Sequence, residues 1–130
     1  MKKRILYIDN DMASYILISE ILKGCNVEII HSRCGLHAIN LFQKNPSFDL
    51  IITELRLPKT DGFGVLKEVR KIIPNIPVIT QTASVLDNMK CNCLNAGFNE
   101  FIPKPIDISF FVSVVNMYIH DNILVGLESA

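Results

Sequence analysis

Five short apolar runs, near residues 4–9, 27–31, 49–53, 77–81 and 99–103, alternate with five stretches in which apolar residues recur every three or four positions, near 12–23, 36–44, 62–72, 85–96 and 107–119. Compact apolar runs bounded by turn residues read as strands, and the 3.6-residue period reads as helix. A strand–helix alternation repeated five times with short connections predicts a doubly wound α/β sheet of parallel strands. The runs LYI, LIIT and PVIT are almost wholly apolar, so they belong in the middle of the sheet, covered on both faces. The 27–31 run carries Glu28 and His31 and belongs at an edge.

Punctuation agrees with these boundaries. Gly24 closes the first helix, Gly35 opens the second and Asn45-Pro46 ends it, while Asp61-Gly62 turns into the third. Pro74 and Pro77 bracket the entry to the fourth strand, and Ala96-Gly97 stops the fourth helix. No repeat, low-complexity stretch or long linker interrupts the rhythm.

At 130 residues the chain suits one domain, expected over 1–120 with a tail at 121–130. Hydrophobic residues make up 49% and charged ones 20%, which argues for a packed core and against disorder. Thirteen basic residues balance thirteen acidic ones, so no net field draws the chain to nucleic acid or an anionic membrane; Lys2-Lys3-Arg4 reads as a solubilising lead into the first strand. The absence of a ~20-residue apolar span and of a signal-peptide core gives a cytoplasmic expectation. Cys25, Cys34, Cys91 and Cys93 lack paired zinc spacing and are expected to be reduced.

Each of four strand-like runs ends in a residue suited to phosphate or metal chemistry: Asp9-Asn10, Glu54, Thr82 and Lys104. In a parallel sheet the C-terminal strand ends share one edge, so these groups converge on one pocket. Asp9, Asn10 and Asp11 offer hard oxygens to a cation such as Mg²⁺, although Asp11 reads equally well as the N-cap of the helix starting at Met12. Glu54 is a candidate nucleophile, ligand or fixed charge; Thr82 offers a hydroxyl and Lys104 a mobile positive charge. His31, His37 and His120 lack acidic or thiol partners at ligand spacing and read as ordinary polar positions.

The segments ILYIDND, FDLIITELRLPKTDGFGVLKEVR, PVITQTAS and AGFNEFIPKPID resemble the receiver domain of bacterial two-component response regulators, over about Arg4 to Tyr118, and most closely the receivers of hybrid sensor kinases. The resemblance implies a flavodoxin-like fold with five parallel strands in the order 2-1-3-4-5. It implies an Mg²⁺ pair at Asp9 and Asn10, a phosphoacceptor at Glu54, phosphoryl contacts from Thr82 and Lys104, a metal-ligating backbone carbonyl at Arg56 and a switch aromatic at Phe101. Implied partners are a histidine kinase or phosphotransfer protein, or an output protein, with homodimerisation possible through the fourth helix, fifth strand and fifth helix.

Two positions depart from the family pattern: Glu54 stands where an Asp accepts phosphate, and Asn10 replaces the second acid. The extra methylene carries the Glu54 carboxylate about one bond farther along the pocket, and an ångström-scale misplacement costs in-line transfer ~10²-fold. The neutral Asn10 weakens the cation site. The expectation is a pseudo-receiver, not an enzyme, acting through protein contacts, against the alternative of a still-phosphorylatable, Mg²⁺-dependent receiver.

A lesser rival is a haloacid-dehalogenase-like phosphatase with Asp9 as nucleophile, Asp11 as general acid/base, Thr80 or Thr82 on phosphate and Lys104 as clamp. A flavin or dinucleotide module lacks its phosphate loop. The last helix is apolar around most of its circumference, from Ile108 to Ile119, which predicts either a broad core face or a contact surface. The tail DNILVGLESA is too short for a DNA-binding output domain, so no direct nucleic-acid contact is expected.

Overall fold

The computed structural model describes residues 2–83 and 88–120. Strands β1 (Lys3–Ile8), β2 (Val27–Ser32), β3 (Leu50–Glu54), β4 (Val78–Thr82) and β5 (Glu100–Pro103) alternate with helices α1 (Met12–Ile21), α2 (Gly35–Lys44), α3 (Gly62–Ile72), α4 (Met89–Ala96) and α5 (Ile108–Ile119). All neighbouring strands pair in parallel, in the order β2-β1-β3-β4-β5. This is the flavodoxin-like order implied by the resemblance, with β2 at an edge and the apolar runs of β1, β3 and β4 inside. The part of the expected fourth helix at 85–87 and the expected tail at 121–130 lie outside the described residues.

Strand alternation divides the core into two layers. Leu6, Ile8 and Ile51 meet Ala38 and Phe42 of α2 and Val65 and Val69 of α3 on one face. Ile5, Tyr7, Ile52 and Ile79 meet Ile18 of α1 and Phe111, Val114 and Val115 of α5 on the other. Each fully buried side chain of this kind contributes about 1.5–3 kcal/mol relative to exposure. These layers fix the strands, and the strands fix their C-terminal ends.

Caps set where the loops begin. Asp11 accepts from Ala13 N at 3.1 Å and Asp61 from Gly64 N at 2.9 Å, each satisfying an otherwise unpaired helix-start amide. The β3–α3 loop folds back on its strand, with Gly62 N donating to Leu55 O at 2.8 Å. A Cβ at Gly62 would lie 2.7 Å from Glu54 O, so only glycine allows that approach. Helix α1 ends at Ile21, two residues before the expected 23, because Leu22 caps it and the chain turns through Gly24 at φ +89°.

The four cysteines are free; Cys91 is exposed and Cys93 buried. Among the described residues no helix is long and apolar enough to cross a membrane.

Candidate functional site

The strand ends bring Asp9, Glu54 and Lys104 together. Asp9 follows β1 and is 2% exposed, Glu54 closes β3, and Lys104 follows β5, where its N–H donates to Thr82 O at 2.9 Å. Lys104 Nζ donates to Asp9 Oδ2 at 2.7 Å, Glu54 Oε1 at 3.2 Å and Ser14 Oγ at 3.3 Å. An ammonium has three protons, so these bonds use its full donor capacity. Burial works to lower the Lys104 pKa, but the hydrogen bond and charge of Asp9, followed by those of Glu54, more than offset it and hold the group above its ordinary value.

Glu54 turns one carboxylate oxygen toward the start of the β3–α3 loop. Its Oε2 accepts from the N–H of its own neighbour Leu55 at 2.7 Å and from Arg56 N at 3.4 Å. The longer side chain thus brings its carboxylate to the two amides that open the β3–α3 loop as well as to the Lys104 ammonium. Glu54 is in register with Gln81 on β4. Thr82 lies one residue beyond, buried at 1% exposure, and alternates toward the sheet face against which Phe101 packs.

The acidic loop is tightly engaged. Asp9 Oδ1 accepts from Asp11 N at 2.9 Å, and Oδ2 accepts from Tyr7 Oη at 3.2 Å as well as from Lys104. Asp11 is exposed; the hydroxyl of Ser14 and the amide of Ala13 hold its carboxyl below the usual range and occupy it as a helix cap. Asn10 and Arg56 are exposed at the rim. Among the described residues, no three acidic, histidine or cysteine side chains gather as a metal-binding group.

Sequence reasoning missed four contributors: Ser14, which meets Lys104, and Tyr7, Gln81 and His31. Tyr7 is fully buried between Asp9 and Gln81, and its hydroxyl accepts from Gln81 Nε2. Burial, then the Asp9 charge, pushes the Tyr7 pKa far above its ordinary value, so this group stays a proton donor to Asp9. His31, expected to be an ordinary polar position, stacks on Tyr15 with centroids 4.2 Å apart and hydrogen-bonds Asp9 O at 2.9 Å. The available signal was a tyrosine and a glutamine inside strand runs, Tyr7 on the alternation that leads to Asp9; that Gln81 meets them follows from register with Glu54.

A family model described as "Response regulator receiver domain" matches residues 5–116, and the chain belongs to that family. It is a receiver domain of two-component signalling. It is 32% identical over 106 residues to the two-component response regulator-like PRR73 of Oryza sativa subsp. indica, covering 79% of this chain and 14% of that protein. It is 30% identical over 117 residues to the hybrid signal transduction histidine kinase M of Dictyostelium discoideum, covering 85% of this chain and 5% of the kinase. The chain thus spans a small fraction of these relatives' length. Among solved structures, the signal receiver domain of a LuxO repressor protein from Vibrio parahaemolyticus superposes with a TM-score of 0.85 at 25% identity, covering 100% of this chain and 99% of that one.

Proposed function

We propose that this chain is a pseudo-receiver, a module that keeps the receiver pocket but fills it with its own carboxylate and signals through protein–protein contacts. One observation carries the reading: Glu54 uses the Leu55 and Arg56 amides and the Lys104 ammonium at once. An incoming phosphoryl group needs such donors to offset its charge in transfer. Here they already serve an anion that cannot leave.

The same arrangement fits Mg²⁺ poorly. A hard cation prefers several charged oxygens in octahedral array. Asp9 has both oxygens committed, Asn10 offers only a neutral amide, Asp11 is spent on its helix, and Lys104 places a competing positive charge between Asp9 and Glu54. Asp11's capping role also leaves the phosphatase reading without its general acid/base. Roles follow for the remaining positions: Thr82 and Lys104 occupy the phosphoryl-contact positions, Phe101 that of the switch aromatic and Arg56 that of the ligating carbonyl. A histidine kinase, phosphotransfer protein or output protein is the partner class, and the α4–β5–α5 face is the surface for it or for a second copy.

The test is incubation with a small-molecule phosphodonor and Mg²⁺ followed by intact-mass measurement. The expected result is no stable mass gain; one added phosphate that disappears in Glu54→Ala would establish the phosphorylatable alternative. The double substitution Glu54→Asp with Asn10→Asp is expected to raise Mg²⁺ affinity measurably in a calorimetric titration.

A further inference from the structure

A cleft of about 220 Å³ lies beside the acidic pocket, on the sheet face covered by α1 and α5. Tyr7 and Gln81 lie at its inner end, Leu17 and Ile18 of α1 form one wall, and Ile106 and Ile108 form the other. Lys104 and Ser14 sit where it borders the Asp9–Glu54 cluster. Leu17 and Ile108 are 46% and 54% exposed, which leaves the mouth open to solvent.

Gln81 gives this cleft a direction. The residue is 1% exposed, and its Oε1 is buried with no hydrogen-bond partner among the described residues. Tyr7 gives its one hydroxyl proton to Asp9 Oδ2, and Gln81 turns its NH₂ toward the Tyr7 oxygen. The carbonyl oxygen is left over as an acceptor, in a location where a polar atom ordinarily has a partner.

We propose that this cleft binds a small, uncharged, largely apolar molecule carrying one hydrogen-bond donor, which it presents to Gln81 Oε1. The walls select an apolar body. The volume exceeds the roughly 150 Å³ of an engineered apolar cavity that accepts benzene, so a fused bicycle fits. An anion finds no free counter-charge, because all three Lys104 protons are committed, and a cation would meet that ammonium where the cleft borders the acidic cluster. The site is independent of whether Glu54 accepts phosphate; Tyr7 joins the two through one hydroxyl.

The probe is indole, titrated into the full ¹⁵N-labelled chain without metal or phosphodonor and followed by amide chemical shifts. Saturable shifts are expected at Leu17, Ile18, Ile106 and the Gln81 side-chain amide, with a Kd of about 1 mM for a fragment of this size. Indene, a fused bicycle of nearly the same shape with no N–H, is expected to bind about 10-fold more weakly, the worth of one hydrogen bond. Gln81→Leu should abolish that discrimination. Leu17→Trp, at an exposed position that does not threaten folding, should fill the mouth and abolish binding of both compounds. Absence of saturable shifts, or equal binding of the two compounds by the unmodified chain, would overturn the proposal and leave the phosphodonor test untouched.

Discussion

Lys104 places one positive charge between two carboxylates whose side chains are only 3% and 12% exposed. Removing it with Lys104→Met leaves Asp9 and Glu54 facing each other without a counter-ion. Breaking a buried pair this way costs about 3–5 kcal/mol; because Lys104 itself is 19% exposed, a loss of about 2 kcal/mol is expected in urea denaturation at neutral pH. Added Mg²⁺ should recover part of that loss, since the competing charge is gone, and no such recovery is expected in the unmodified chain. The pH dependence has a definite sign. Because the folded-state pKa of Lys104 is raised, its contribution is fully present below the ordinary lysine value of 10.5 and fades as pH climbs through the folded value. Titration of the Lys104 Cε resonance checks this, and Asp9→Asn should lower the midpoint. Asp9, Glu54 and Lys104 were legible in the sequence because they sit at strand ends, where topology alone brings residues together. Tyr7, Gln81 and His31 were not, because their meeting depends on strand register and ring orientation, which no local pattern specifies.

Among the helices, boundary signals were clearest where a cap and a glycine coincide. Asp61-Gly62 opens α3 at the expected residue, and its end at Ile72 also agrees with the 62–72 pattern. Helix α1 was read two residues too long because apolar periodicity runs on into Leu22, which is buried in the same layer although it has left the helix. Helix α4 is held less firmly than α3. It spans eight residues, its N-cap Asn88 is left-handed at φ 65° with no side-chain cap bond, and Cys93 is its single buried residue. Helix α3, by contrast, buries Gly62, Val65, Leu66 and Val69 and carries a side-chain cap. Regions with few buried apolar groups open at lower free energy than the global transition. Amide hydrogen exchange is therefore expected to be at least about tenfold faster in α4 than in α3, a gap of ~1.4 kcal/mol or more in opening free energy. Equal protection would show that α4 opens only with the whole domain.

On the scale of the whole molecule, the two apolar layers leave an unequal surface. Helix α5 uses Phe111, Val114, Val115 and Ile119 to cover the sheet, yet Ile108, Phe110 and Met117 remain 54%, 45% and 40% exposed. The core-face reading of its apolar circumference holds for the first stripe, and the contact reading applies to the second, exposed one. Phe110 and Met117 are seven residues apart and share one stripe. The neighbouring Tyr118 ties α5 to β5 through a 2.8 Å bond to Glu100, and burial followed by that bond pushes its pKa up to about 12. A stripe kept for contact and a stripe kept for packing respond differently to charge. Phe110→Asp with Met117→Lys places charges in solvent, where substitutions usually change stability by less than about 0.5 kcal/mol. Val115→Ala opens the core and should cost roughly 1–3 kcal/mol. If α5 supplies the contact surface, the exposed double variant will shift sedimentation at high micromolar concentration toward the monomer, or lose capture by the partner, while its denaturation midpoint holds. If the exposed residues merely complete the fold, the midpoint will fall and the sedimentation coefficient will not change.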